Sequence, residues 1–471
     1  MSNKYFKTIL ILGMVVCGLL PAQETAVPKR LSPDEAVDRA IKNNLNLESS
    51  RASTATKKRA SDLSWNQFIP SVTVGGSLIR DNEKSSVSVM VPVDISPFTQ
   101  GMIPPDTVFG VYPYSPDVSQ WHVAGSMQAS LNISIAMFEN MNRLRLDYEG
   151  GLISYEKAKS QLERDVRKAY HNMLLVQENI ALLRGSFQNV ERQVQMAQAN
   201  FNAGLAPELT LLQARVALGN MLPLIDQAEN GLKLTMAQFA MYLGLSYDTP
   251  FELIPVNEDN VFISLDVKEM ISKAASGKPD IHELRHTILM LQSARKAQFN
   301  SLLPALTLSW NTQPVFIRDP WKDSWGEKDN WQKSGGLTIS LGLRLHSLIP
   351  FSADYQGIKN LDDQINTANI GLSQMIQGTE IEIYNTVLSL EKTRLSAEAQ
   401  TQTVDLAERS YRLTEQAYQA GLQDLFQVQS AEQSLRQARV QMLEQQFNYL
   451  NGLIDLEYSI GVPFGTLSRS K

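Results

Sequence analysis

Cysteine is nearly absent: among 471 residues the only one is Cys17. It lies inside an apolar run, Ile9 to Leu20, preceded by Lys4 and Lys7 and followed by Pro21-Ala22-Gln23. That order reads as a secretory signal over residues 1–22, with cleavage after Ala22. A lipid-attachment site wants a small residue ahead of the cysteine, and Val16 stands there, so acylation of Cys17 is not expected. The mature chain then carries no thiol, which excludes disulfides, cysteine-based zinc sites and a cysteine nucleophile. Long apolar runs are also missing. Ile9 to Leu20 is shorter than the roughly 20 residues a spanning helix needs, and no later segment comes closer. Basic charge is not in excess either. Lys plus Arg number 43 against 49 Asp plus Glu, and the net charge of -6 becomes about -8 once the signal is removed, so nucleic acid is not an expected partner.

What the chain does have is an internal repeat. Leu31-Ser32-Pro33-Asp34-Glu35-Ala36 recurs as Leu265-Asp266-Val267-Lys268-Glu269-Met270, and Ile69-Pro70-Ser71-Val72-Thr73 recurs at the same offset as Leu303-Pro304-Ala305-Leu306-Thr307. Ala203-Gly204-Leu205 recurs as Ala420-Gly421-Leu422 at a shorter offset, so the second copy has lost residues after the first strand. This divides the mature chain into repeats over 23–255 and 256–471. Each opens with a helix signal, Ser32 with Glu35 and Asp266 with Glu269, in which the cap oxygen and the N3 carboxylate satisfy orphan amides. Pro33 at N1 fits the same start.

Strand periodicity follows. Val123, Gly125, Met127, Ala129, Leu131, Ile133 and Ile135 alternate with Ala124, Ser126, Gln128, Ser130, Asn132 and Ser134; Leu337 to Leu345 alternate likewise with Thr338 to His346. Shorter partners run Val72 to Leu78 and Leu306 to Trp310. Strands of about 10 residues with one apolar and one polar face in a secreted chain fit a membrane barrel better than a sandwich edge. Trp65, Trp121, Trp310 and Trp331 suit either an interfacial aromatic girdle or ordinary packing. The Pro-rich segment Asp81 to Gln120, and Pro314 to Trp331, read as external loops.

The remainder is helix with heptad spacing: Val166, Met173, Ile180, Phe187, Val194 and Phe201 in one copy, and Ile383, Leu390, Ala397, Val404, Tyr411 and Tyr418 in the other. After each glycine the spacing resumes through Leu211, Leu218, Ile225, Leu232 and Phe239, and through Val428, Leu435, Met442, Tyr449 and Leu456. Residues 140–203 alone make roughly 95 Å of helix at about 1.5 Å per residue. Each Ala-Gly-Leu therefore reads as a tight turn between antiparallel coiled-coil helices. Four strands cannot close a barrel, since membrane barrels begin at about 8, so several chains must pool theirs. The expected fold class is an α+β membrane protein: a long antiparallel α-helical coiled-coil barrel with β-barrel strands pooled across an oligomer.

These residues resemble the TolC-like outer-membrane efflux family over essentially the whole mature sequence. The resemblance rests on Leu31-Ser-Pro-Asp-Glu-Ala-Val-Asp-Arg-Ala40 with Asn43-Asn44, on Leu-Pro or Ile-Pro leading each first strand, on the repeated Ala-Gly-Leu turns, and on the closing helix Ala431 to Gly461. It implies a homotrimer in outer-membrane lipid of a diderm bacterium, with four strands per chain in one barrel. It further implies a helical tunnel in the periplasm that docks on an inner-membrane pump through a periplasmic adaptor (membrane fusion) protein. The function implied is an efflux or type I secretion duct, without cofactor. The turns at Gly204 and Gly421 become the periplasmic tip. Thr210, Gln427 and Ser430 take the places of the entrance ring, where family members often carry aspartates; Asp424 is the nearest acid. Tyr418 matches a tip tyrosine of the family and equally continues the heptad row from Tyr411.

Two other readings compete. A periplasmic coiled-coil adaptor or scaffold explains the heptads but leaves the alternating strands without a role. His282-Glu283-Leu284-Arg285-His286 spells the H-E-x-x-H of zinc proteases. Yet no further His follows until His346 and no Glu until Glu327, and the equivalent Leu47 to Arg51 holds no histidine, so no enzyme and no metal are expected and the segment reads as a solvated helix.

Overall fold

Ser32 starts the first helix as the sequence predicts: its Oγ accepts from the Glu35 amide at 3.3 Å and the Glu35 carboxylate accepts from the Ser32 amide at 3.0 Å. The helix start at Asp266 departs from the expectation. Asp266 accepts from the Lys268 amide at 2.9 Å, while Glu269 pairs at 2.7 Å with Lys273 one turn on, so no reciprocal box forms.

The computed structural model describes residues 30–82, 87–94, 107–114, 119–255 and 265–467; the expected signal, with Cys17, lies outside them. The helices are α1 (Pro33–Asn43), α2 (Leu45–Asp62), α3 (Ile135–Asn202), α4 (Glu208–Tyr242), α5 (Val267–Gly277), α6 (Pro279–Asn300), α7 (Ala353–Gln419) and α8 (Leu425–Ile460). The strands are β1 (Arg30–Leu31), β2 (Ser71–Arg80), β3 (Val87–Asp94), β4 (Thr107–Tyr114), β5 (Trp121–Ile133), β6 (Glu252–Leu253), β7 (Ala305–Phe316) and β8 (Trp331–Gly342). Helix thus predominates, with α3 at 68 residues and α7 at 67.

The chain forms two compact units, one of residues up to Arg51 with Tyr155–Pro279 and Ile376–Lys471, the other of Ala52–Ser154 with Asp280–Met375. The first is helical and buries two main cores. Leu31, Val37, Val166, Tyr170, Met173, Phe239 and Leu243 form one; Met270, Ile383, Leu390, Tyr449, Leu453 and Leu456 form the other. The heptad rows supply both, because spacing by seven keeps one stripe of a helix facing its partner. Phe201, the last member of its row, is instead exposed.

In the first core β1 and β6 pair in parallel, and the buried Tyr170 fastens them. Its hydroxyl accepts from the Ile254 amide at 2.9 Å and lies 2.7 and 2.8 Å from the carbonyls of Leu31 and Ile254, to one of which it donates. Burial is the main cause that pushes this hydroxyl up to about 12, so it stays protonated. Tyr170→Phe removes that junction while keeping the ring. A loss of about 1–2 kcal/mol is expected, read as a lower urea midpoint at unchanged slope.

The second unit holds an antiparallel sheet in the order β2-β5-β7-β8 and a separate antiparallel ribbon β3-β4. Within the segment 81–120, read as an external loop, the described residues include this ribbon, with Pro92 opposite Phe109 and Pro113 opposite Ser88; a two-stranded ribbon has free edges on which a proline is tolerated. Pro314 is likewise inside β7 rather than in a loop. Pairing to β5 is interrupted at this point, and Gly125 leaves room for the ring, since a Cβ there would lie 3.2 Å from Pro314 Cγ. The alternation also runs past the real strand ends. Ile135 begins α3, and Leu345–Leu348 is a short 3-10 turn after β8 stops at Gly342.

Candidate functional site

The four-stranded sheet is sorted by face through its register. Ala129 faces Val72 on one side and Trp310 on the other, and Trp310 faces Leu337. The rows Leu131-Leu308-Ile339 and Ile133-Leu306-Leu341 continue the same side. Much of this apolar face meets no protein: Val74 is 74% exposed, Leu337 68% and Leu341 73%. The opposite face carries Ser71-Ser130-Ser309-Thr338 and Thr73-Gln128-Asn311-Gly336. Neither β2 nor β8 has a second neighbour, so the sheet is open at both edges and no closed barrel exists within the described residues. A bare apolar face and two raw edges are costly in water, where each invites further pairing.

Aromatic rings gather at one end. Phe316 stacks on Trp325 at 4.9 Å between centroids, and Trp331 meets both edge-on at 5.3 and 5.8 Å. This stack orders the turn after β7, helped by Trp325 Nε1 donating to Pro320 O at 2.9 Å and Trp331 Nε1 donating to Trp325 O at 2.9 Å. Trp121 lies at the same end of the sheet, paired with Arg80. Trp65 precedes β2 in the 3-10 turn Ser64–Phe68. Trp310 does not mark an end: it sits among the apolar rows between Ala129 and Leu337.

Gly204 and Gly421 adopt left-handed φ of 72° and 73°. The amides of Gly204 and Leu205 bond back to Phe201 O and Asn200 O, and those of Gly421 and Leu422 to Tyr418 O and Ala417 O, the double closure that ends a helix on a glycine. Nothing lies near a Cβ at either position, so it is backbone angle and not crowding that calls for glycine. The two turns restart differently: Pro207 opens α4 with no side-chain cap, whereas Asp424 caps α8 by accepting from the Gln427 amide at 2.9 Å. Gln427 and Ser430 are exposed and Thr210 half-buried. Tyr418 is half-buried and packs on two small clusters near these turns, one with Leu211, Ala214 and Leu425 and one with Tyr411 and Val428. The arrangement brings Gly421, Asp424, Gln427 and Ser430 onto one turn and helix start.

The H-E-x-x-H segment proves to be a packing face, not a solvated helix. His286 is buried, its Nε2 donates to Leu146 O at 2.7 Å, and its ring lies where a Cβ on Gly150 would be 2.9 Å away. Glu283 accepts from Ser154 at 2.8 Å, and His282 is exposed. One imidazole is thus buried and bonded while the other is exposed, and the described residues hold no group of three or more His, Cys, Asp and Glu able to bind a metal. The helical unit holds one more buried histidine, His171, bonded to Asn451 and edge-on to Phe447; burial above all pushes its pKa down to about 4.

Comparison with known proteins adds to this geometry. Residues 36–244 match the family model of outer membrane efflux proteins. The chain is thus similar to the family its motifs resemble. No curated protein matches the sequence. Among solved structures, the fold is shared with CusC, which forms a transmembrane channel, at TM-score 0.69 and 15% identity over 92% of each chain. It is shared with the CmeC outer membrane channel of Campylobacter jejuni at 0.69 and 15% identity over 91% of this chain and 85% of that one. VceC, an outer membrane protein of Vibrio cholerae, gives 0.65 and 13% over 92% and 96%. The family match covers residues 36–244, and the solved structures share the fold.

Proposed function

We propose that the protein is the outer-membrane duct of a tripartite efflux or type I secretion system, a homotrimer whose sheets join into one barrel. The observation that carries this is the two-faced sheet with both edges free. In the order β2-β5-β7-β8 successive strands alternate in direction, so β8 of one chain and β2 of the next run antiparallel when set side by side. Three copies then give a continuous ring with lipid against Leu337, Ile339 and Leu341. Thirteen residues of β5 at about 3.3 Å each, tilted about 40°, reach across a membrane barrel's apolar band of about 25 Å. A second apolar row on α7 supports the trimer: Ile381, Leu388, Leu395, Leu406 and Leu413 are all exposed in the single chain. The two sequence repeats, 23–255 and 256–471, would each supply two strands and two long helices, the helices standing in the periplasm. A periplasmic adaptor and an inner-membrane pump are the partners.

In this reading the Gly204 and Gly421 turns form the periplasmic tip, with Thr210, Asp424, Gln427 and Ser430 around the entrance. Neutral amides and hydroxyls do not concentrate cations as carboxylate rings do, and Asp424 is engaged as a cap. The test is purification in mild detergent and recording in planar bilayers. A heat-modifiable trimer is expected, conducting and only weakly blocked by multivalent cations from the tip side. Gln427→Asp with Ser430→Asp should introduce strong block. A monodisperse, non-conducting monomer refutes the duct; strong block in the parent protein that Asp424→Asn abolishes places the constriction elsewhere.

A further inference from the structure

The polar face of the sheet has a property that neither the family match nor the fold assigns. From Ser71 to Ser77, Ala124 to Asn132, Thr307 to Val315 and Gln332 to Ser340, the residues on this face are Ser, Thr, Asn, Gln, Gly, Ala and Val. None is ionisable. The nearest titratable pair, His122 with Asp81 at 2.8 Å, stands at the far end beside Trp121. The two Lys or Arg side chains within the four strands of this sheet, Arg80 and Lys333, belong to the other face: Arg80 pairs with Trp121 and Lys333 with Pro314. Mid-sheet, Gln128 and Asn311 are direct cross-strand neighbours, the longest side chains of their row, flanked by Thr73 and Gly336. Asn311 is also held, its Oδ1 accepting from the Gly336 amide at 3.2 Å.

We propose that this face is a charge-neutral lumenal wall in which the Gln128 and Asn311 amides are the groups that meet passing solute, and that it selects against neither cations nor anions. The inference rests on the channel reading above and deepens it: the cargo class this wall admits is polar or amphiphilic solutes of either charge sign, and charge discrimination falls to other parts of the duct. Amides and hydroxyls each offer a donor and an acceptor, so a wall of them solvates ions of either sign. A wall of fixed carboxylates or ammonium groups instead raises the local concentration of one sign by about tenfold or more.

Because Cys17 falls in the segment expected to be removed, a single introduced cysteine is the only thiol in each mature chain. Asn311→Cys and, separately, Gln128→Cys should each be modified in conducting trimers by a cationic and by an anionic methanethiosulfonate. After normalisation to a free thiol, the two rates should agree within about threefold. Adding Gln128→Glu to Asn311→Cys should tip the ratio toward the cationic reagent by about tenfold. Leu337→Cys, on the apolar face, should resist both. A parent ratio beyond about tenfold, or reaction at Leu337→Cys with none at Asn311→Cys and Gln128→Cys, overturns the neutral wall. A trimer that never conducts overturns the channel reading instead, and the two failures are therefore told apart.

Discussion

In the trimeric duct proposed above, Ile339→Arg is expected to abolish the membrane-inserted trimer while Thr338→Arg, one residue away, leaves it assembled. Ile339 is 64% exposed and stands opposite Leu308, in the middle of the apolar rows. Arginine at the centre of a lipid-facing strand costs about 2–4 kcal/mol, and a ring of three copies incurs that cost three times. At about 1.4 kcal/mol per tenfold, each copy alone shifts insertion roughly 30- to 700-fold. Thr338 points to the other face, in the row of Ser309 and Ser130, where an added guanidinium remains hydrated. The measurement is the heat-modifiable oligomer recovered with outer-membrane fractions. Equal loss in both variants, or equal survival, would mean that the sheet is not divided between lipid and lumen.

Gly461→Ala should be the most damaging single methyl in the helical unit. Its φ is 70°, a region in which a Cβ costs about 1–2 kcal/mol, and that Cβ would lie 2.0 Å from Gly277 O. The contact is reciprocal, because a Cβ on Gly277 would lie 2.2 Å from Ile460 O. The backbones of α5 and α8 touch here, next to the buried Lys278 that pairs with Glu382 at 2.5 Å, which also accepts from Ser459 at 2.7 Å. Neither backbone can yield without disturbing that network. Overpacking adds about 1–3 kcal/mol, so a total near 2–5 kcal/mol is expected, read as a lower thermal midpoint by circular dichroism. Gly185→Ala is the comparison: Gly185 lies within α3 with open space around it, and alanine there should be neutral or stabilising by up to about 1 kcal/mol. Equal midpoints for the two variants would show that the α5-α8 approach is absent.

The sequence by itself determined the periodic parts. Heptad rows from Val166 and Ile383 became buried stripes, the alternation around Met127 and Ile339 became a two-faced sheet, and Gly204 and Gly421 closed their helices in left-handed turns. Each of these depends on residues within a turn or a strand of one another, so spacing alone carries the information. The candidate entrance residues were legible only through the resemblance, since no local rule marks Gln427 or Ser430. Tertiary structure decided what depends on distant partners. His286 reads as one half of a zinc motif until Leu146 and Gly150 arrive to bury it. Tyr170, with no signal of its own beyond the heptad frame, becomes a clasp because β1 and β6 meet at its hydroxyl. Pro314 reads as a loop residue until Gly125 opposite makes space for it, and Gly461 is indispensable only because Gly277 lies against it. In each case the deciding contact joins segments far apart in the chain, and its free energy comes from burial and backbone hydrogen bonding that no single segment contains.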